Sequence, residues 1–245
     1  KPPANATMIA TFGTIQGAVD AVAEVIRRRV IPAALELIDR DSLAAVHEHL
    51  SRDLVPEGTV AALIVEADGT ARGVEEDLDQ VVEACRSVGA ESMWRASSAE
   101  ERERIWNVRR QTSTALKATG LVKINHDVVV PKGRVPQLFD VIAEMKRTYG
   151  LRIASFGHAG DGNIHVNLLL TPGDDAERQR AKEAETFLFT RVVALEGSIS
   201  GEHGIGFAKA PYIPIELSPE EVALMKRVKA AFDPHGILNP GKIFP

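Results

Sequence analysis

Cysteine is almost missing from this chain: Cys85 is the only one. A disulfide framework needs pairs and a thiolate zinc site needs several, so both are excluded. Cys85 follows Val81, Val82 and Ala84 at helical spacing, the pattern of a small buried core residue rather than a nucleophile. Aromatics are scarce as well, at 5% against 44% hydrophobic residues overall, so the core must be built from Ala, Val, Ile and Leu. No apolar run reaches the roughly 18 residues that span a bilayer, and no signal peptide is recognisable. An excess of positive charge is lacking too, since the formal net charge is −5. That argues against a nucleic-acid partner, which calls for a basic face. The one dense basic run, Arg27 to Arg29, reads as the last turn of a helix, where cations meet the negative end of the dipole. A chain without disulfides suits a reducing compartment. The expectation is a cytoplasmic protein, with peripheral membrane association left open. The first residue is Lys1 rather than methionine, and part of a longer polypeptide is expected.

What is present is strands alternating with helices. Residues 7–12, 61–65, 93–96 and 122–131 read as strands, residues 33–38 as a second short apolar run, and residues 151–170 as two more strands around Gly160-Asp161-Gly162-Asn163. Apolar residues at helical spacing predict helices over 15–28, 39–50, 74–88, 97–119, 135–149, 176–195 and 218–232. Asp39 reads as an N-cap, Ser98 with Glu101 as a capping box, and Gly89, Gly120 and Gly150 as helix stops. The clear hairpin and the lack of a Gly-rich dinucleotide fingerprint after any strand favour an α+β fold. The expected sheet is mixed or antiparallel, with helices mainly on one face.

The strongest local signal is His158-Ala-Gly-Asp-Gly-Asn-Ile-His165-Val-Asn167. Asp-Gly favours a two-residue turn. Centred there, it pairs Gly160 with Asn163 and Ala159 with Ile164, and sets His158 directly opposite His165. Side chains facing each other this way stand about 4.5–5.5 Å apart at Cβ, close enough for two imidazoles to share one metal ion. Asn167 falls on the same side as His165, and Ile164, Val166 and Leu168 on the other. Downstream, Ser200-Gly-Glu202-His203-Gly204-Ile-Gly206 offers a carboxylate. Two His and one Glu form a recurrent set for first-row metals such as Zn or Mn. On the long helix, Arg109 and Ser113 share a face, and Arg109 has the planar fork that suits a carboxylate. Lys123, in the next strand, is a further cation.

These strings, with Asn239-Pro240-Gly241-Lys242 near the end, closely resemble the C-terminal half of FAD-linked oxidases of the vanillyl-alcohol-oxidase type. Glycolate oxidase catalytic subunits, D-lactate dehydrogenases and D-2-hydroxyglutarate dehydrogenases are its nearest members. The resemblance runs over essentially the whole chain. It implies a ferredoxin-like cap or substrate domain over residues 1–196. Residues 197–245 would then be a C-terminal helical segment that packs beside a separate N-terminal FAD domain and completes the flavin site. It matches His158, His165 and Glu202 to metal ligands and His203 to the catalytic base. Arg109, Ser113, Lys123 and Asn167 match substrate-contacting positions; Ser113 stands where some members have threonine, and Lys123 is one residue out of step. Glu202, His203, Gly204, Asn239 and Lys242 fall where the cofactor is approached.

The implied reaction oxidises a 2-hydroxyacid to a 2-oxoacid. FAD and a divalent metal would be cofactors of the complete protein, and a further electron acceptor its partner. The 245 residues alone are expected to be inactive. From the residues themselves two other readings stay open. A metal-dependent hydrolase would use the same His and Glu set to activate water, and a non-catalytic binding domain would bind a ligand without turnover.

Overall fold

The computed structural model describes residues 3–51 and 55–244; Lys1 lies outside them. The chain lays down β1 (Ala4–Phe12), α1 (Ile15–Arg27), β2 (Ala34–Asp39), α2 (Arg40–Leu50), β3 (Ala61–Gly69), α3 (Ala71–Ser87) and β4 (Ser92–Arg95). There follow α4 (Ala99–Ala118), β5 (Val122–Val129), α5 (Val135–Tyr149), β6 (Arg152–His158), β7 (Asn163–Leu170) and α6 (Asp175–Ala194). Two helices, α7 (Ile213–Glu216) and α8 (Pro219–Phe232), lie near the end.

Local chemistry sets the boundaries. The side chains of Thr14, Asp39, Thr70, Ser98, Asp174 and Ser218 each accept a backbone N–H in the first turn of the helix they precede. Gly150 ends α5 in the left-handed conformation, φ 61°. The box expected at Ser98 and Glu101 closes differently. The Glu101 carboxylate accepts from both the amide and the hydroxyl of Ser97, each at 2.7 Å, instead of the amide of the cap residue Ser98.

All strand pairings are antiparallel, in the order β4-β1-β3-β2-β6-β7-β5. The order contains a repeat. β1, α1, β2, β3, α3 and β4 form a ferredoxin-like unit with strands ordered 4-1-3-2. β5, α5, β6, β7 and α6 build the same unit again. Its fourth strand is reduced to a single bridge, Val129 to Ser198, on the free edge of β5. The two units join edge to edge through β2 and β6.

Alternation along the strands divides the core. Met8, Ala10, Leu37, Leu63 and Val166 pack with α1, α3, α5 and α6 on one face. Ile9, Ile38 and Ile64 pack with Ile105, Val108 and Leu116 of α4 and with Leu43 and Val46 of α2 on the other. Cys85 lies buried in the first cluster. The final helix is different: none of the α8 residues is buried, and Leu224, Val228, Phe232, Ile237 and Leu238 are exposed. Among the described residues no helix is long and apolar enough to cross a membrane.

Candidate functional site

The face covered only by α2 and α4 carries polar residues over β2, β6, β7 and β5. The β6–β7 hairpin supplies two of them, but not in the expected register. His158 pairs with Asn163 and Phe156 with His165, so the histidines are diagonal rather than opposite. A two-residue turn at Asp161-Gly162 requires positive φ at both residues. Only Gly162 adopts it, at 79°, and the loop widens to Ala159–Gly162. Gly160 N–H donates to Leu35 O and Val130 N–H to Gly162 O, which ties the loop to the strands on both sides. The shift is two positions, which preserves parity. His158 and His165 therefore do share a face, with ring centroids 6.1 Å apart, and Asn167 shares it too.

Glu202 reaches this pair from the loop after α6. Its Oε1 lies 3.7 Å from His165 Nε2 and 4.0 Å from His158 Nε2. The donor atoms of the three residues all fall within 4.8 Å of one another. Two ligands each about 2.1 Å from a zinc ion lie at most about 4.2 Å apart, so the trio fits such an ion after closing by about half an ångström. His165 is buried, and its pKa is pushed down to about 4, first by burial and then by the charges of Arg109, His203 and His158. It is neutral at neutral pH, the form a ligand requires.

His203 stacks on His165, centroids 5.3 Å apart and planes at 25°. Its Nδ1 edge faces Asn125 Nδ2 at 3.3 Å and Asp127 Oδ1 at 3.6 Å. Its Nε2 lies 3.8 Å from Glu202 Oε1. Asp127 explains why the loop sits here. Its Oδ2 accepts the backbone N–H groups of Glu202 and His203, at 2.6 and 2.8 Å. Its Oδ1 accepts from Lys209 Nζ at 2.5 Å. Burial alone would raise the Asp127 pKa; the Lys209 ammonium and the two amides prevail and hold it at about 2. Asp127 and Lys209 are both buried.

The helix α4 lies across the same face, and one stripe of it meets the sheet. Trp106 Nε1 donates to Glu66 at 2.8 Å, Arg109 Nε to Glu36 at 2.5 Å, and Lys123 Nζ to Ser113 Oγ at 2.8 Å. Arg109 and Lys123 also stand over the Phe156 ring, at 4.8 and 6.0 Å. Burial lowers the Lys123 pKa, and the nearby Lys117 adds to it. Asn167 is fully buried; its Nδ2 donates to Ala154 O and His165 O, and its Oδ1 has no partner. A cavity of about 670 Å³ touches this group only at Glu36 and His158; the rest of its lining comes from the connection between α1 and β2, Lys132 and the loop at Gly160 and Asp161.

The structure thus brings together His158, His165, Glu202 and His203, with Arg109, Ser113, Lys123 and Asn167 along the same face. It places Asn239 and Lys242 elsewhere. Lys242 donates to Asn239 at 3.3 Å and stands over Phe207, while the neighbouring Ile243 N–H donates to Gly206 O. These residues, and the exposed Gly204 with φ 77°, belong to the outer rim of the loop. Sequence reasoning missed Glu36, Asp127 and Lys209. A signal was available for Glu36, a mid-strand carboxylate among apolar residues at the parity of the buried Ile38; Asp127, in a strand that also carries Lys123, Asn125 and His126, had none. Lys209 had no such mark.

Comparison with known proteins gives the family and the fold. Residues 1–243 match the family model described as "FAD linked oxidases, C-terminal domain". The chain is 34% identical over 244 residues to the glycolate oxidase subunit GlcD of Bacillus subtilis (strain 168), covering 100% of this chain and 52% of that protein. It is 31% identical to a probable mitochondrial D-lactate dehydrogenase of Danio rerio, covering 99% of this chain and 48% of the other. The chain therefore spans about half the length of the curated relatives it matches. A solved structure of p-cresol methylhydroxylase with substrate bound shares the fold: TM-score 0.69, 15% identity, 99% of this chain and 53% of that one. With the family model matched over nearly every residue, this chain belongs to the FAD-linked oxidases as their C-terminal domain.

Proposed function

We propose that this chain is the substrate half of a flavin-linked 2-hydroxyacid dehydrogenase of the D-lactate, glycolate or D-2-hydroxyglutarate class. The observation that carries the reading is the stacking of His203 on His165 beside Glu202. Two cations, Arg109 and Lys123, stand over Phe156 on the same face. A 2-hydroxyacid needs its carboxylate held and its hydroxyl proton taken, and these groups suit both tasks. Arg109 binds Glu36 through Nε alone, which leaves its two terminal nitrogens for a bidentate grip on the substrate carboxylate. Lys123 and Ser113, hydrogen-bonded to each other, would lie beside the substrate, with the buried, unpartnered Asn167 Oδ1 on the same sheet face. In the tautomer with its proton on Nδ1, His203 would have the Nε2 lone pair free to accept the hydroxyl proton.

A divalent cation, Zn or Mn, would be held by His158, His165 and Glu202 and would polarise the substrate hydroxyl as a Lewis acid. FAD would supply the two-electron acceptor for the α-hydrogen. Glu202, His203 and Gly204 lie on the side of the loop open to solvent, and Asn239 and Lys242 on the tail beside it. The exposed Phe207, Leu224, Val228, Phe232 and Ile237 suit packing against the flavin domain of the same polypeptide. On this reading residues 1–196 form the substrate domain and 197–245 the segment that completes the flavin site. The 245 residues alone do not turn over hydroxyacids, and the compartment is cytoplasmic.

The test joins this chain to the upstream segment of its gene and assays glycolate, D-lactate and D-2-hydroxyglutarate with a dye acceptor. His203→Ala is expected to lower turnover by about 10²- to 10⁴-fold. Undiminished turnover in that variant would remove His203 from the reaction. Dye reduction by the 245 residues alone would show that the flavin site lies within them.

A further inference from the structure

Strand β2 is Ala34-Leu-Glu-Leu-Ile-Asp39. Its single mid-strand charge, Glu36, is only 4% exposed. A buried carboxylate is costly unless charged or hydrogen-bonded partners meet it. Glu36 has one for each oxygen. Oε1 accepts from His158 Nδ1 and Oε2 from Arg109 Nε, both at 2.5 Å. It does so across the seam of the sheet, because β2 pairs with β6 in the register Glu36 to His158. The first unit therefore places a carboxylate under a site otherwise made by α4 and the second unit.

We propose that Glu36 is a positioning residue for the site: it fixes the tautomer of His158 and the orientation of Arg109. An ionised carboxylate can only accept, so the imidazole proton sits on Nδ1. The lone pair is then on Nε2, the nitrogen that faces Glu202 at 4.0 Å. A metal-binding histidine commonly donates its other N–H to a carboxylate, which fixes the ring and raises its basicity. The same carboxylate, bound through Nε, holds the Arg109 guanidinium over Phe156. One buried acid thus sets both the ligand that would bind metal and the cation that would bind substrate. The metal part of this inference rests on the proposed reading of His158, His165 and Glu202.

The experiment compares wild type, Glu36→Gln and Glu66→Gln in the 245-residue chain. Glu66 is a carboxylate on the same sheet face that holds Thr7 and Trp106, away from the histidines. Zn²⁺ and Mn²⁺ affinities are measured by calorimetry, and the His158 tautomer by ¹⁵N NMR of the imidazole without metal. Glu36→Gln is expected to weaken metal binding by about 10- to 100-fold and to turn the single Nδ1–H tautomer into a mixture. Glu66→Gln is expected to change neither. Equal losses of affinity in both variants, or an unchanged His158 tautomer in Glu36→Gln, would overturn the proposal. Should wild type bind neither metal, the metal reading fails, and the tautomer measurement still decides whether Glu36 positions His158. A shorter Glu36→Asp, with the charge kept but the reach lost, should fall between wild type and Gln if the contact itself matters.

Discussion

The two ferredoxin-like units share a strand order and differ in what they do with the fourth strand. The first closes its edge with β4, and Arg95 on that strand pairs with Glu75 and Asp79 of α3. The second leaves the place beyond β5 almost empty, filled by one bridge at Ser198. The chain that would have made a strand there instead turns in over the polar face and carries Glu202 and His203. The site exists where the repeat is incomplete. A closed fourth strand would have spent these backbone groups on a ladder and left no loop to fold over β7.

Each unit also buries one aspartate, and the two are shifted in opposite directions. Asp39 caps α2 and accepts from the amides of Ser42 and Ser155. Burial raises its pKa from 3.8 to about 6, and Lys146, 3.9 Å away, opposes this only in part. Asp127 is as buried, yet its pKa is held at about 2 by Lys209 at 2.5 Å and two loop amides. Burial pushes both upward; at Asp127 the cation in contact and the two amides outweigh it.

Removing that cation is the hardest test of the contrast. Lys209→Met leaves Asp127 charged and buried without its partner and should cost about 3–5 kcal/mol in denaturant unfolding. It should also speed hydrogen exchange at the Glu202 and His203 amides. A loss below about 1 kcal/mol would mean that the loop does not depend on the pair.

Asp39 supplies the pH side of the comparison. Its folded pKa lies above the unfolded 3.8, so its contribution is fully present below about 3.8 and lost as pH rises through about 6. Asp39→Asn removes the titration. Its stability deficit relative to wild type should therefore shrink between acid and neutral pH, by roughly 3 kcal/mol. A deficit that grows with pH would reverse the assigned direction.

Gly162→Ala probes the loop that broadens the second unit's hairpin. A Cβ there would meet Val130 O at 2.0 Å with φ at +79°. At Gly150, φ +61°, a Cβ meets nothing within 4 Å, and Ala should cost only the about 1 kcal/mol of a left-handed residue. Gly162→Ala should cost clearly more than Gly150→Ala in thermal unfolding. Equal costs would mean that the loop gives way freely.

The smallest effect is expected on α8. Phe232 is 83% exposed, and Phe232→Ser should change the stability of the 245 residues by no more than about 0.5 kcal/mol. The same change in the complete polypeptide should be larger if the flavin domain covers this helix.

Much of this was legible from residues alone. Helical and alternating spacing located the elements, because burying one face imposes its period on the chain. Asp39, Ser98 and Gly150 marked ends by local chemistry. The metal-type trio and the polar sheet face were also legible, since strand parity survives a register shift of two. What the sequence could not decide is where β2 would lie. Glu36 is more than a hundred residues from His158, and Lys209 eighty-two from Asp127. Their meeting depends on edge pairing between two units and on a loop replacing a strand. Such pairings carry no local signature, because the backbone ladder that makes them is the same for every side chain. Composition and spacing determined which residues would be buried or chemically able; only the tertiary structure decided which buried charge meets which.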